Sequence, residues 1–160
     1  MTSEGDFKLA LARLAGGVAV ISSRLGSHDH AMTASALCSV SLDPPLVLVC
    51  VEIEARFHDA VSESGALGIS LLTTAQRAHA DWFATPGRPI VGQLDGIAHR
   101  RGASGAVLLD GSLATLDCHV VAMHPAGDHS IVVAQVDDIV LADEPGDALV
   151  YYRHRFGSLA

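Results

Sequence analysis

The stretch Met32-Thr33-Ala34-Ser35-Ala36-Leu37-Cys38-Ser39-Val40-Ser41-Leu42-Asp43-Pro44-Pro45-Leu46-Val47-Leu48-Val49-Cys50-Val51 carries most of what the chain says about its fold. Its first half sets Thr33, Ser35, Ser39 and Ser41 between Ala34, Ala36, Val40 and Leu42, so an extended segment with one bulge or bend presents several hydroxyls on one side. Pro44-Pro45 ends that strand, because proline has no N–H to give to a ladder. Residues 46–51 are apolar throughout and read as the next strand. On pattern alone the hydroxyls have two readings. They either face solvent and neighbouring loops, or they hold a planar ligand with a phosphate at its end through backbone N–H groups and hydroxyls in place of lysines.

Working outward, Phe7, Ala10, Leu11 and Leu14 recur at helical spacing after a possible cap at Asp6, and Gly16-Gly17 stops them, so residues 7–15 are expected to be a short helix. Residues 17–23 and 31–41 read as strands joined by a turn-like 24–30. Helices are expected over 56–64 and 74–83, the second capped by Thr73 or Thr74, with a strand over 66–72 between them. The Pro, Gly and Arg content of 85–105 predicts a long loop. Asp110-Gly111 is expected to turn a hairpin between 106–109 and 113–123, and Gly127-Asp128 a second one. Residues 131–141 and 148–152 supply the last strands. Seven or more strands, three helical pieces and no alternating βαβ rhythm predict a mainly antiparallel β fold, a barrel.

The length, 160 residues, is that of one ordinary domain, expected to span 1–160, and 49% hydrophobic content excludes a disordered chain. A net charge of −8 disfavours diffuse binding to nucleic acid or an anionic membrane. The longest apolar run is far shorter than the ~20 residues of a membrane-spanning helix. Cys38, Cys50 and Cys118 are odd in number, form no C-x-x-C pair and follow no basic-then-apolar leader, so reduced thiols and a cytoplasmic location are expected.

Nucleotide and hydrolase signatures are missing. There is no G-x-G-x-x-G after a strand, Lys8 is the only lysine and no P-loop contains it, and no G-x-S-x-G elbow occurs. His28-x-His30 and Cys118-His119 lack third and fourth ligands nearby in sequence, so no metal site is expected. The three cysteines read as small buried strand residues, with no adjacent His/Asp arrangement to activate a thiolate.

The twenty residues quoted at the outset resemble the signature of the flavin reductase-like, FMN-binding split-barrel family, the reductase partners of two-component flavin monooxygenases. The resemblance extends to Phe7 through Gly17-Val18-Ala19-Val20-Ile21, to Gly127-Asp128-His129 and to Leu149-Val150-Tyr151-Tyr152-Arg153, and so covers essentially the whole chain. It implies an antiparallel split β-barrel with about three short helices.

Carried over by position, the resemblance implies that Met32, Thr33, Ala34 and Ser35 line the isoalloxazine ring and that Ser39, Val40 and Ser41 approach the ribityl and phosphate groups. Cys50, Val51 and Glu52 would end the adjoining strand beside the flavin. Arg56 and Phe57 stand where the family often has a polar residue and a Thr or Ser near the phosphate; the Phe removes that hydroxyl, and Arg56 is a candidate to compensate. Phe83 matches an aromatic at the flavin's edge, or else the inward face of its helix. His129 is the candidate catalytic group on the nicotinamide side, with Tyr152 and Arg153 close by.

The function implied is that of an NAD(P)H:flavin oxidoreductase. It takes FMN or FAD, with NADH or NADPH as co-substrate, and releases reduced flavin by diffusion to a separate monooxygenase. Hydride transfer between two stacked rings needs positioning more than acid–base groups, which suits a chain with few of them. The alternatives are a flavin- or haem-binding split-barrel protein without turnover, and a pyridoxamine-phosphate-type oxidase; few cations argue against the latter. A homodimer is expected, because residues 46–51 and much of 131–141 are apolar on both faces and three short helices cover little. A charge placed at Val49 or Val133 is expected to disturb it.

Overall fold

The structure, a computed structural model, describes residues 1–159. Its elements run α1 (Glu4–Leu11), β1 (Gly16–Gly17), β2 (Ala19–Leu25), β3 (His28–Ala34), β4 (Leu37–Leu42), β5 (Pro45–Glu52), α2 (Arg56–Ser64) and β6 (Ala66–Leu71). A 3-10 turn (Thr74–Gln76) leads into α3 (Arg77–Ala84). Then follow β7 (His99–Arg101), β8 (Val107–Leu109), β9 (Ala114–Ala126), β10 (His129–Leu141), β11 (Val150–Tyr152) and β12 (Arg155–Gly157).

Seven strands form one antiparallel sheet in the order β3-β2-β6-β9-β10-β5-β4. Its two edges, β3 and β4, are consecutive in the chain with only Ser35 and Ala36 between them. Two linking residues span about 10 Å at most, so the strip must roll until its edges meet. No ladder joins β3 to β4, which leaves the barrel split along that seam. The expected strand over 31–41 is therefore two strands. The segment must leave its ladder with β2 and join β5 on the far edge, and the Cys50 N–H bond to the Ala36 carbonyl (3.1 Å) marks the crossing.

Inside the barrel, Ala19 and Ile21 meet Val49, Val51, Ile69, Val132 and Ala134, and Phe57 and Val61 of α2 plug one end. A second cluster lies outside, where Val18 and Val20 meet Leu72, Phe83 of α3, Val107, Leu109 and Leu149. β8 reaches it because Gly68 has no side chain; a Cβ there would stand 2.8 Å from the Val107 carbonyl. Ser22 and Ser70 fix the crossing, the first donating to Val107 O (2.5 Å) and the second accepting from the Leu109 N–H (2.9 Å).

Several expectations are corrected here. Asp110-Gly111 does turn, but β8 does not pair with β9, whose edges are both taken by β6 and β10; it pairs with β7 instead. A strand thus lies inside the expected long loop. Pro45 opens β5 opposite Leu42, a two-residue turn with a cis Asp43-Pro44 bond. α1 starts earlier than expected, on a Ser3 cap whose Oγ accepts from the Asp6 N–H (3.0 Å), and it buries no residue. The Gly127-Asp128 hairpin is present, with Gly127 at φ +66° as the turn requires.

Candidate functional site

A cavity of about 480 Å³ opens between β3, the end of β5 and the segment after α3. Met32 and Thr33 form its floor, Glu52 and Arg56 one side, and Phe83 with Arg88 the other. Arg88 builds that wall. Its guanidinium donates to the carbonyls of Phe83 (2.8 Å) and Thr85 (3.1 Å) and to that of Ala31 on β3, and it lies 5.4 Å over the Phe83 ring. Gln93 pins the same segment further on, donating to Asp29 O (2.5 Å) and Ile90 O (3.1 Å), while Trp82 Nε1 donates to Gln93 O (2.8 Å). The loop expected over 85–105 is therefore held against β3 at its start.

Burial, and secondarily the charge of Arg56, makes Arg88 less basic than an ordinary arginine. Its Nε is buried without a hydrogen-bond partner. Burial, then Arg56 and His28, likewise holds the His30 imidazole in this cavity below its usual pKa. The site thus carries two guanidiniums that repel each other and an unanswered N–H, with the carboxylates of Glu52 and Glu54 on the same lining.

A second cavity, about 650 Å³, adjoins the first at Thr33 and Ala84, and lies between α3 and the β11–β12 hairpin. Thr33 Oγ1 donates to the Ala80 carbonyl (2.7 Å), clamping α3 to β3 between the two cavities.

The residues expected at a flavin fall into groups. Met32, Thr33, Glu52, Arg56, Phe57 and Phe83 line the first cavity and Ser35 the second. Phe57 and Phe83 are at the same time packed in the cores, at 4% and 1% exposure. Ala34 and Val51 turn into the barrel core, while Cys50 is half-buried on the outer face of β5, and of the three cysteines expected to be buried only Cys118 is, Cys38 being exposed because it stands on edge strand β4. Ser39, Val40 and Ser41 stand on edge strand β4, with a bulge at Val40, away from both cavities. His129 pairs with Glu52, which places it beside the first cavity's rim, and its Nδ1 is 2.7 Å from Asp128 Oδ1. That hydrogen bond, and the charge behind it, holds the Asp128 carboxyl below its usual range.

Tyr152 and Arg153 face a separate hollow on the far side of their hairpin, while Tyr151 and His154 face the second cavity. Sequence reasoning passed over Tyr151, His154 and Arg88. Two adjacent tyrosines leave the strand's parity open, and Arg88 sits among turn residues with no motif around it. Among the described residues no cluster of His, Cys, Asp or Glu is arranged to hold a metal ion, and no helix is long and apolar enough to cross a membrane.

A split barrel with an arginine-bearing cleft beside its open seam defines a class, and the comparisons agree with it. Residues 11–160 match the model of the flavin reductase like domain, and the chain belongs to that family. It is 41% identical over 153 residues to the reductase component of 4-hydroxyphenylacetate 3-monooxygenase from Thermus thermophilus, covering 96% of this chain and 95% of that one. It is 38% identical over 159 residues to an NADH-dependent flavin reductase from a Rhodococcus species, covering 94% and 83% of the two chains. Among solved structures it resembles BorF, the flavin reductase component of a bacterial two-component tryptophan halogenase, with a TM-score of 0.91, 39% identity and 98% of each chain covered.

Proposed function

We propose that the 480 Å³ cavity is where this chain, an NADH-dependent flavin reductase, holds FMN or the equivalent part of FAD. The observation that carries the placement is the pair Arg56 and Arg88, one guanidinium tethered to the other's backbone carbonyl and the second left with a buried, unpartnered N–H. Such a pair suits a phosphate and makes up for the hydroxyl that Phe57 lacks. The bound flavin supplies the redox chemistry, accepting a hydride from the reduced nicotinamide.

The chain's own groups position and exclude. Met32 and Thr33 supply a floor onto which a flat ring can settle. Arg88 and Gln93 keep the covering segment in place, and Phe83 gives it a dry backing. His129, on the turn beside Glu52, stands on the side where the nicotinamide enters, and its bond to Asp128 orients the imidazole.

The reduced flavin goes to a separate monooxygenase by diffusion. The whole chain works as one domain, in the cytoplasm, where Cys38, Cys50 and Cys118 remain free thiols. It works as a homodimer. α2 and α3 pack mainly on β2 and β3, whereas Leu48, Cys50, Ile131 and Val133 line up on the outer face of β5 and β10, and Phe7, Leu9 and Leu11 of α1 are exposed. Ser39, Val40 and Ser41 border that face, and pairing would bring them towards a flavin.

Anaerobic mixing of protein, FMN and NADH tests the reading. Loss of the oxidised flavin absorbance, one flavin per NADH consumed, is expected, and a spectrum unchanged with either FMN or FAD would refute it.

A further inference from the structure

His129 and Ser130 open β10, and as neighbours in a strand they send their side chains to opposite faces. His129 lies opposite Glu52, beside the cavity proposed for flavin. Ser130 lies opposite Val51 and two residues before Val132, and so points with both into the apolar end of the barrel, where it is 5% exposed. A hydroxyl buried there costs stability unless it is paired. Its partner is His58 of α2, whose Nε2 lies 2.9 Å from the Ser130 Oγ.

His58 directly follows the run 54–57 that lines the cavity, and it takes no part in that lining itself. Its backbone N–H donates to the Ala55 carbonyl (2.8 Å), and its Nδ1 faces the Asp59 carboxylate at 4.0 Å. Two residues back on the same helical turn, Arg56 reaches the Arg88 carbonyl instead. One turn of α2 therefore holds both the segment that closes over the cavity and the strand end that carries His129. The Ile53 N–H, just before α2, steadies the same place through the Asp128 carbonyl (2.9 Å). For stability alone the His58–Ser130 pair is dispensable, since two apolar groups of the same shape can serve as well. What a directed bond adds is a fixed position for the residue next to Ser130.

Resting on the flavin-reductase reading and on His129 as its nicotinamide-side group, we propose that His58 is a positioning residue for hydride transfer. Through Ser130 it sets where the His129 imidazole stands against the bound flavin, and it touches neither flavin nor nicotinamide. A small misplacement of a group that orients the reacting rings slows transfer steeply and leaves the flavin's own contacts in place.

Rapid mixing of FMN-loaded protein with NADH gives the rate of flavin reduction, and titration gives FMN affinity. Both are measured for the wild type, His58→Leu, His58→Gln, Ser130→Ala, His129→Ala and the double variant His58→Leu/His129→Ala. His58→Leu is expected to slow reduction about fivefold while FMN affinity stays within about twofold. Ser130→Ala, which deletes a single atom from the barrel end and keeps the fold, should lose as much. His58→Gln, with an amide at the reach of Nε2, should recover most of the rate. In the His129→Ala background His58→Leu should cost nothing further, because the group it positions is gone.

Reduction at the wild-type rate in His58→Leu and Ser130→Ala, FMN affinity falling in step with the rate, or losses at His58 and His129 that multiply would overturn the positioning role and leave the reductase reading intact. A wild type that reduces no flavin would contradict that reading, and the positioning role with it.

Discussion

Arg56 Nη2 donates to the backbone carbonyl of Arg88 across 2.8 Å, so the first turn of α2 and the segment after α3 are tied together over the cleft by the same two residues that supply its positive charge. Arg88 holds three further carbonyls with its guanidinium. Positioning and charge therefore reside in one side chain.

Arg88→Met separates those roles from the rest of the protein. It removes the charge and leaves partly buried carbonyls unanswered, so flavin affinity should fall at least tenfold and stability by about 1–3 kcal/mol. Flavin titration and urea unfolding measure the two. A folded variant that binds FMN normally would move the phosphate elsewhere.

Thr33→Val keeps shape and removes the bond to Ala80. A cost of about 1 kcal/mol is expected, with slower turnover because α3 is no longer clamped between the cavities. Thr33→Ser should restore both. Urea unfolding and steady-state rates of the two variants decide it.

The strand and turn pattern was legible because the signals are local: alternation, Pro44-Pro45, and glycine in the turn at Gly127. What escaped was set by pairing partners far away in the chain. Nothing within 31–41 says that its two halves belong to opposite edges of a rolled sheet. Val107–Leu109 reads as the arm of a hairpin until β6 and β10 occupy both edges of β9. The lining of the cavity proposed for flavin was legible where a contiguous motif carried it, at Met32, Thr33 and Glu52. It was hidden where a single side chain in a loop, Arg88, or the parity of a short strand, Tyr151 against Tyr152, made the difference.

Val49 and Val133 no longer serve as equivalent probes of the dimer. Val49 is 0% exposed inside the barrel, so Val49→Glu buries an unpaired carboxylate and should unfold the chain. Val133 is half-buried on the outer face opposite Leu48. Val133→Glu should give a folded monomer with reduced activity in sedimentation and rate measurements. A fully active Val133→Glu monomer would remove the dimer from the account.

Burial pushes the Cys118 thiol up to about 12, and the charges of Asp117 and Asp137 add to the shift. A raised pKa in the fold means that the unfolded chain loses its proton first. This contribution to stability is therefore complete below about pH 8.5 and declines as pH climbs towards 12. Alkylation in native protein should modify the exposed Cys38 and leave Cys118 untouched until denaturant is added. Native labelling of Cys118 would contradict its placement.

His129→Ala should slow reduction of bound flavin by tenfold or more while flavin affinity stays within twofold, because His129 pairs with Glu52 beside the cavity proposed for flavin and is not part of that cavity's lining. Rapid mixing with NADH reads the first quantity and titration the second. An unaltered reduction rate would return His129 to the surface.

The most direct test of the central claim is the steady-state oxidation of NADH and NADPH by purified protein, with and without added FMN, FAD or riboflavin. Rapid NADH oxidation that depends on added flavin is the predicted result. No oxidation of either nucleotide with any of the three flavins would contradict it.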